Sequence, residues 1–414
     1  MLPSAPDSPF EPQALVVAGG GAAGYMAAIT AAEEGVGPVL LLESQPEPLQ
    51  KVLISGGGRC NVTHACWDPR SLIGHYPRGG QALRGPFSRF APGDAVAWFS
   101  SHGLELVEEA DGRLFPRSQR SESVAGTLRR AAAAAGVVVQ TATALKAAEA
   151  RPEGGFLLHT RSAAGGHQAA WAEHLVLATG GHPSGRQLAA AFGHTIVPPV
   201  PSLFTLSLED QGLTTLAGVV MEAVGLELTL DPADGEARGS AAVQRFREQG
   251  TVLITHWGLS GPAVLRLTAF AARGLHGARY RGGLRVDWSG GRSQQQLQEA
   301  FAVARSEQAR RLLVNWRPWP ELSRRLWQHL LQEAGVGPQK RWADLARREQ
   351  EDLIAALRGR RYGVRGRGPF GEEFVTAGGV ALGEINLATM ESRLVPGLHV
   401  VGELLDVDGV TGGF

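Results

Sequence analysis

The chain has 414 residues, of which 43% are hydrophobic and 19% are charged, so it is long enough for two or three packed domains and too apolar to be disordered. Lysine and arginine (40 residues) balance aspartate and glutamate (40 residues), so the overall charge predicts neither a nucleic-acid nor a membrane partner. Glycine accounts for 55 residues, about 13% of the chain against a usual share of about 7%. We therefore expect many backbone positions that need close approach or positive φ.

Two cysteines, Cys60 and Cys66, are the only ones in the sequence, and the five residues between them fit neither a redox pair nor a structural zinc site. We therefore expect no metal centre and a reducing compartment. No apolar run reaches about 18 residues, and no basic segment accompanies the proline-rich, acidic residues 1–12. The sequence predicts a soluble, cytoplasmic protein that does not span a membrane.

The first structured segment is predicted to be a strand–helix–strand unit. An apolar run at residues 15–18 ends at Gly19. Residues 22–34 then carry small and apolar side chains at helical spacing before Gly35, and residues 39–42 form a second apolar run. Such a unit of about 30 residues is typical of the start of a dinucleotide-binding fold.

The remaining elements are predicted in chain order from the same patterns. They are a glycine-rich polar loop at 51–64, helices at 94–102 and 122–135, strands at 137–141, 156–160 and 171–178, short antiparallel strands from about 200 to 270, helices between 294 and 357, and glycine-punctuated strands in the last 45 residues.

The turn between the first strand and the first helix reads Gly19-x-Gly21-x-x-Gly24. Gly19 permits a tight turn, Gly21 lets the backbone approach a pyrophosphate, and Gly24 allows the helix to pack closely while its N-terminus faces the anion. Together with Ala22 and Ala23, this motif predicts a cradle for the ADP half of a dinucleotide. The glycines alone are a weak signal, and their position between a strand and a helix strengthens it.

Glu43 follows the last glycine of the motif by nineteen residues, at the end of the second strand. We expect its carboxylate to accept hydrogen bonds from both ribose hydroxyls and to repel a 2′-phosphate, which favours FAD or NAD over NADP. A solvated strand end is the alternative for Glu43. Two distant segments favour FAD over NAD: the strand that ends in Thr179 and Gly180, and residues 397–403 followed by Asp406, resemble the paired elements of two-dinucleotide-type flavoproteins.

Six segments together resemble the bacterial BaiN/RdsA family of NAD(P)/FAD-dependent oxidoreductases, also called the aminoacetone oxidase family. They are VVAGGGAAGYMAA (16–28), KVLISGGGRCNVTH (51–64), LATGG (177–181), THWGLSGPAVL (255–265), TAGGV (376–380) and GLHVVGELLDVDGVTGGF (397–414). The resemblance covers nearly the whole chain in the expected order.

The resemblance implies an α/β fold in three parts. A Rossmann-type FAD-binding domain is split between the two ends of the chain, at residues 1–198 and 376–414. A β-rich domain, residues 199–285 and 358–375, is inserted into it, and a helical domain, residues 286–357, is nested within that insert. The resemblance also implies reductase or oxidase chemistry, with substrates that range from steroid-type enones to ribosomal RNA uridine.

Two departures from the family pattern concern the flavin. The segment LATGGHPSGRQLA lacks the Ser-Tyr-Pro and Thr-Gly-Asp run that the pattern places after TGG, so contacts with the flavin edge are expected to differ there. The pattern also continues beyond TGG(F/Y)N into a last helix, whereas this sequence stops at Phe414. If the chain ends at Phe414, the backbone amides of that helix are missing, and we then expect weaker FAD binding.

Within the resemblance, two segments are expected to hold the rest of FAD. The loop from Ser55 to Asn61 is rich in backbone donors that suit the flavin or its pyrophosphate. The candidate residues are Ser55, Gly57, Gly58, Arg59, Cys60 and Asn61 in this loop, and Gly402, Glu403, Asp406, Gly412 and Gly413 near the C-terminus. Lys51 is either a phosphate ligand or a solvated lysine.

Cys60 and His256 are the candidate catalytic residues. The Cys60 thiol is a possible proton donor to a carbon that flavin N5 reduces, although free cysteines are more often small buried apolar groups. His256 lies beside Trp257 and a glycine-rich turn, and a structural histidine is an equal alternative. Because no second GxGxxG motif occurs, NAD(P)H is expected only as a transient reductant at the flavin, with the substrate itself as the other source of hydride.

Residues 273–367 contain 19 arginines and one lysine against nine acids, a local charge of +11 that leaves −11 for the rest of the chain. Five of the nine tryptophans, at positions 288, 316, 319, 327 and 342, lie in the same segment. Arginine with interleaved aromatic side chains suits RNA, by phosphate contact and base stacking. The alternative is that this segment docks on the acidic remainder and that its tryptophans form a small core.

The sequence therefore predicts an FAD-dependent oxidoreductase that reduces an activated C=C bond in a small-molecule substrate by hydride transfer from flavin N5. The alternatives are a flavin-dependent reductase of ribosomal RNA uridine and an oxidase of small amines or aminoketones. A non-catalytic flavin-binding role is the weakest of these hypotheses.

Overall fold

The computed structural model of the protein describes residues 12–230, 243–369 and 375–414, and the statements below concern these residues. The expectation for residues 1–12 falls outside them except for Pro12, and the predicted second part of the β-rich domain, residues 358–375, is described only in part. No helix in the described ranges is long and apolar enough to cross a lipid bilayer.

The helices and strands have the following bounds. The α-helices are α1 (Ala22–Glu33), α2 (Gln50–Gly58), α3 (Pro69–Leu72), α4 (Gly80–Phe87), α5 (Pro92–Ser101), α6 (Ser121–Ala134), α7 (Pro183–Ala191), α8 (Gln211–Thr214), α9 (Pro262–Gly277), α10 (Gln294–Glu307), α11 (Arg324–Glu333) and α12 (Arg347–Gly359). The strands are β1 (Gln13–Ala18), β2 (Val39–Leu42), β3 (Thr63–His64), β4 (Leu106–Glu108), β5 (Arg113–Pro116), β6 (Val138–Gln140), β7 (Thr143–Ala150), β8 (Phe156–Ser162), β9 (His167–Leu177), β10 (Ile196–Ser202), β11 (Leu206–Leu208), β12 (Val220–Leu230), β13 (Gln244–Ile254), β14 (Gly258–Ser260), β15 (Gly282–Asp287), β16 (Arg360–Arg367), β17 (Val375–Val380), β18 (Ile385–Asn386), β19 (Glu391–Ser392) and β20 (Leu398–Val400).

The chain divides into two compact units, which we call the first unit (Met1–Pro199 with Val375–Phe414) and the second unit (Val200–Phe374). The first unit contains a nine-stranded sheet in which β18, β19, β20, β9, β1, β2 and β6 follow one another, with β8 and β7 attached to β9. Strands from both ends of the chain therefore share one sheet. This arrangement confirms the predicted Rossmann-type domain split between N- and C-terminal segments.

Strand β1 lies in the interior of this sheet, and its side chains are buried on both faces. It pairs in parallel with β2 and with β9, with Leu15 opposite Val39 and Val16 opposite Leu175. Leu15 and Val17 point into one buried cluster, and Val16 points into another. A continuous apolar run is the pattern that a parallel strand covered on both sides requires.

The second unit contains a closed barrel in the order β11, β14, β13, β12, β15 and β16. We call residues 294–359, which contain α10, α11 and α12, the helical insert. Its buried side chains and those of the barrel form one continuous cluster. Trp288, Trp327 and Trp342 are fully buried in this cluster. Trp327 stacks on Trp342 with ring centroids 6.2 Å apart. These three tryptophans are core residues and do not offer free ring faces.

Two predicted elements were wrong. The polar loop predicted at 51–64 begins with helix, and helical dihedral angles end only at Ser55. The strands predicted up to about residue 270 give way to α9, which begins at Pro262 after Gly261 in the left-handed region (φ 97°). Proline at the first helical position favours a helix start. The buried side chains of α9 recur at helical spacing, at Val264, Leu267, Ala271 and Leu275.

Candidate nucleotide-binding site

The turn after β1 owes its shape to two glycines that tolerate no side chain. Gly19 has φ 118°, and a Cβ atom there would lie 2.5 Å from the carbonyl oxygen of Ala178. A Cβ atom at Gly24 would lie 1.9 Å from the carbonyl oxygen of Gly19. Both clashes involve backbone atoms, which cannot rotate away. Gly19 and Gly24 therefore allow the strand, the turn and the helix to approach one another.

Gly21 differs from these two glycines because it borders open space. It has an extended conformation (φ −86°, ψ −175°), and no heavy atom lies within 4 Å of its Cβ position. Gly21 is also the N-cap of α1, where no side chain caps the helix and no acidic residue occupies the first turn. Uncapped amides at a helix N-terminus attract anions. Ala22 is exposed and Ala23 half-buried beside it.

Glu43 lies directly after β2 and is fixed beside the glycine turn. Its Oε2 accepts the N–H of Gly20 at 2.8 Å, and its Oε1 accepts the N–H of Gln45 at 2.7 Å. Oε1 also accepts the hydroxyl of Ser44 at 3.0 Å, so the acceptor capacity that remains for a further donor lies mainly on Oε2. The position predicted for an ADP-ribose acceptor is thus occupied by an oriented carboxylate.

Residues from four distant segments meet near the start of α1. A Cβ atom at Gly402, which has φ 69°, would lie 2.8 Å from the Cβ of Ala23. Glu403 pairs with Lys51 at 3.4 Å, and both side chains are exposed. The Cβ position of Gly180 lies 3.9 Å from Glu403 Oε2 and 4.0 Å from Lys51 Nζ. The structure therefore brings these predicted site residues together.

The segment from Ser55 to Asn61 turns sharply after the helical part of α2. Gly57 and Gly58 have positive φ (68° and 82°) and no heavy atom within 4 Å of their Cβ positions. Cys60 also has positive φ (59°) and is buried. Burial raises the pKa of the Cys60 thiol, and a hydrogen bond with Ser55 opposes that shift in part. Cys60 also belongs to the buried apolar cluster that contains Val17 and Val52, as expected of the small buried apolar group that the sequence left as its alternative role.

Arg59 is already engaged within the protein. Its Nη1 donates to Glu109 Oε1 at 2.6 Å and to Gln119 Oε1 at 3.1 Å. Its guanidinium group lies over the ring of Phe115, 4.0 Å from the centroid. Glu109 compensates its charge, so the predicted contact of Arg59 with a pyrophosphate would compete with this ion pair.

The C-terminal segment is attached to residues 61–78 by contacts that sequence reasoning missed. Asn61 Nδ2 donates to the carbonyl oxygen of Gly412 at 2.6 Å. Arg78 forms an ion pair with Asp408, whose side chain is fully buried. The ring of Phe414 stacks on His75, with centroids 4.4 Å apart. The partners are hundreds of residues apart in the chain, so no local pattern could have identified them.

Four more predicted residues occupy distinct positions. Asp406 is half-buried, and its backbone N–H donates to the carbonyl oxygen of Val380 at 3.0 Å. Gly413 lies against the side chain of Asn61, which a Cβ atom there would meet, whereas the Cβ position of Gly412 is open. His256 is exposed between β13 and β14 in the second unit, so it is not among the residues that the first unit brings together.

An array of the buried residues Ser392 and His194 with the partly exposed Glu384 has the order of a catalytic triad but is structural. His194 bridges Ser392 Oγ at 2.9 Å and Glu384 Oε2 at 3.0 Å. Ser392 Oγ also accepts the N–H groups of Leu394 and Val395, each at 3.0 Å. An oxygen that is buried and accepts two amide hydrogens cannot attack a substrate. The array ties β19 to the residues that precede β10.

FAD is the cofactor that the sequence resemblance implies, and the residues of this site fit it. The Cβ positions of Gly21, Gly57 and Gly58 border open space, as a close approach of the phosphates and ring system requires. Thr179, two residues beyond the end of β9, packs its hydroxyl against Gly185 of α7, where a Cβ atom would lie 1.7 Å from Oγ1, so this side chain is not part of the fit.

Known proteins resemble this chain along nearly its whole length. A family model described as HI0933-like protein Rossmann domain matches residues 13–414. The chain is 29% identical over 411 residues to a 3-dehydro-bile acid delta(4,6)-reductase of Clostridium scindens, covering 96% of this chain and 94% of that protein. It is 29% identical over 419 residues to a ribosomal RNA dihydrouridine synthase of Escherichia coli, covering 96% and 93%. Among solved structures, a 3-ketosteroid-delta4-(5alpha)-dehydrogenase of Rhodococcus jostii aligns over 97% of this chain and 92% of its own, with 15% identity and a TM-score of 0.49.

Proposed function

Because the chain belongs to the HI0933-like Rossmann family, as its motifs predicted, we propose that it is an FAD-dependent oxidoreductase that reduces an activated C=C bond in a small molecule. The observation that carries the proposal is the open cradle formed by Gly21, the uncapped start of α1 and the oriented carboxylate of Glu43. Such a cradle suits a pyrophosphate and a ribose.

The residues around the cradle have separate tasks. The α1 amides from Gly21 bind the pyrophosphate, with Ala22 and Ala23 leaving the approach clear. Glu43 accepts the ribose hydroxyls. Gly180 and the segments at 55–61 and 402–413 bound the remainder of the cofactor. When bound, FAD supplies hydride chemistry from its N5 atom to an electron-poor carbon.

Cys60 is the candidate proton donor for the neighbouring carbon of the substrate. Its thiol is buried and protonated, and it lies in the loop that borders the open space at Gly57 and Gly58. A proton delivered from Cys60 Sγ would complete the saturation of the C=C bond. Replacing Cys60 with alanine lowers product formation under this assignment, whereas serine at the same position restores part of it.

The reductant of the proposed enzyme is NAD(P)H, which docks transiently and leaves as NAD(P)+. The sequence offers only one dinucleotide motif, and the cradle at Gly19–Gly24 is assigned to FAD. The test is to release the cofactor from the purified protein, identify it by mass, and supply NADH or NADPH together with an enone. Released FAD and a product heavier by two hydrogen atoms support the proposal. Absence of FAD, or an unchanged enone, contradicts it.

A second candidate function is the reduction of uridine in ribosomal RNA. Uracil contains a C=C bond conjugated to a carbonyl group, so the chemistry is the same. The observation that favours this candidate is the +11 charge of residues 273–367. Purification at low and high salt tests it, because phosphate contacts are released by salt. Bound RNA that high salt removes supports the candidate, and protein free of RNA at both salt concentrations argues against it.

A further inference from the structure

A pocket of about 400 Å³ opens on the helical insert, away from any motif. It lies between the turn Leu313–Asn315 and the start of α11. Its walls are mostly flat and apolar, from Trp316, Pro318, Trp319 and Pro320, and its polar edge comes from Arg317 and Arg324. The volume falls within the range of about 300–1,000 Å³ that is typical of small-ligand sites.

The walls of this pocket are held in place from behind. Trp327 Nε1 donates to the carbonyl oxygen of Leu313 at 2.7 Å, in the buried core. Trp316 packs edge-on against the buried Trp342, with centroids 5.5 Å apart. The guanidinium group of Arg292 lies 4.4 Å from the centroid of Trp319. The pocket is therefore a formed feature of the fold.

Arg317 in the pocket wall, and three arginines in the chain segments next to it, carry charge that no described residue compensates. Arg317 is half-buried, Arg310, Arg311 and Arg341 are exposed, and none of the four guanidinium groups has a partner among the described residues. Residue 312 pairs with Arg341 in an antiparallel bridge, so the two arginine-bearing segments run side by side. Residues 310–325 carry five arginines against one glutamate.

We infer that this pocket, with the arginines beside it, binds a single-stranded segment of nucleic acid with one base against Trp316 and the neighbouring phosphates at the arginines. The inference rests on the second candidate function, in which RNA is the substrate. Planar aromatic walls suit a base in any sequence, and guanidinium groups suit phosphates. An acidic peptide would satisfy the arginines but would leave the flat apolar walls without a matching group.

The experiment measures the binding of a fluorescent short oligouridylate to the full-length, FAD-loaded protein by anisotropy, without turnover. Trp316→Ala removes the aromatic wall proposed to contact the base. Arg317→Ala removes one of the two arginines in the pocket wall. Arg247→Ala, on strand β13 with a largely exposed side chain, is the control for the loss of one positive charge. An abasic polymer of equal length and polyglutamate are the control ligands. Thermal unfolding shows whether each variant is folded.

We expect the wild-type protein and Arg247→Ala to bind the oligouridylate with similar affinity. Trp316→Ala and Arg317→Ala should weaken it by about fivefold or more, the size of one lost base-stacking contact. The abasic polymer should bind correspondingly weakly. Equal binding by all variants, equal binding of polyglutamate, or no binding at low salt overturns the inference. A protein that reduces enones but fails this test loses only the nucleic-acid site. A protein that passes it but reduces neither an enone nor uridine keeps the nucleic-acid site and loses the proposed reductase activity.

Discussion

The candidate sites of the two units are made of different parts of the chain. In the first unit the candidate site is made of backbone, since Gly19, Gly21 and Gly24 act through the side chains they lack. In the second unit the candidate surface is made of large side chains, Trp316 and Arg317 among them. A site made of backbone needs particular residues at fixed spacing and is therefore readable in sequence, whereas a surface of large side chains depends on which of them the fold leaves uncovered.

The tryptophans of the second unit illustrate this dependence. The sequence places five tryptophans among the arginines, but Trp288, Trp327 and Trp342 are fully buried. Only Trp316 and Trp319 line the open pocket alongside the buried Trp327. Trp319 also belongs to the buried cluster, so four of the five tryptophans form the core that the sequence offered as one alternative, and Trp316 is the one left for the nucleic-acid surface that we propose.

The largest expected effect comes from comparing a glycine that the fold requires, Gly24, with a glycine that the proposed cofactor requires, Gly21. Gly24→Val places a side chain into the backbone of Gly19, so we expect loss of both the folded first unit and FAD. Gly21→Val points into open space in an extended conformation that valine adopts readily, so folding should persist. FAD affinity should nonetheless fall by about 100-fold or more, or about 2.8 kcal/mol. Flavin titration of the refolded apoproteins, with circular dichroism, distinguishes the two; unchanged affinity in Gly21→Val would show that the cradle does not bind FAD.

A large effect confined to the second unit is expected from Trp327→Ala. This side chain is fully buried and stacked on Trp342, and its indole N–H is hydrogen-bonded. Removing it should cost about 3–5 kcal/mol of unfolding free energy. Urea unfolding followed by fluorescence measures this loss. Trp67→Ala, at a 52% exposed position, is the control and should cost little. Similar losses in both variants would contradict the assignment of Trp327 to the core.

An intermediate effect is expected at the buried ion pair of the first unit. Asp408→Asn leaves Arg78 facing a neutral partner, so the protein should lose about 1.5–3 kcal/mol of stability, the usual worth of a hydrogen bond to a charged group. Glu105→Gln, which breaks the ion pair between the exposed side chains of Glu105 and Arg117, is the control and should leave stability nearly unchanged. Thermal unfolding of the two variants measures the difference. Equal losses would contradict the anchoring role of the buried pair.

The smallest effect concerns the pH dependence of the Ser392–His194–Glu384 array. Hydrogen bonds from Thr195, and then the one from His194, hold the pKa of the Glu384 carboxyl below its usual range. A carboxyl with a depressed pKa stabilises the fold above its unfolded pKa and loses that contribution as the pH falls through its folded pKa. Because the side chain is partly exposed, Glu384→Gln should cost under about 1 kcal/mol at neutral pH. Denaturant titrations from neutral to acid pH should show the wild-type advantage shrinking, and a constant difference would exclude the charge as its source.

The parts of the fold that the sequence predicted share a local cause. Residues 39–42 are predicted as a strand with the observed bounds because a short apolar run between glycine and charged residues leaves few alternatives. The glycine motif and Glu43 are recognisable for the same reason. Each of these signals lies within about 30 residues of the others, the length of one strand–helix–strand unit.

The ion pairs around the candidate site depend on contacts between distant residues, which no local sequence pattern encodes. The sequence predicts Asp406 and Arg59 as cofactor ligands, which stays a prediction, and it gives no sign of the ion pairs that the fold forms between Asp408 and Arg78 and between Arg59 and Glu109. The sequence of a glycine-rich segment does not show which of its charged residues is ion-paired within the fold and which is available to a ligand. Helix α9 was missed because a proline and two glycines around its start resemble a turn.

The most direct test of the central claim is a single-turnover reaction without oxygen. The FAD-loaded protein is chemically reduced, mixed anaerobically with an enone or an oligouridylate, and followed by its visible flavin absorbance. We predict that at least one of these C=C substrates restores the oxidised flavin spectrum and is recovered in saturated form. Reduced flavin that persists with both substrates, but is rapidly oxidised by air after reduction by an amine or aminoketone, would contradict this claim and identify an oxidase.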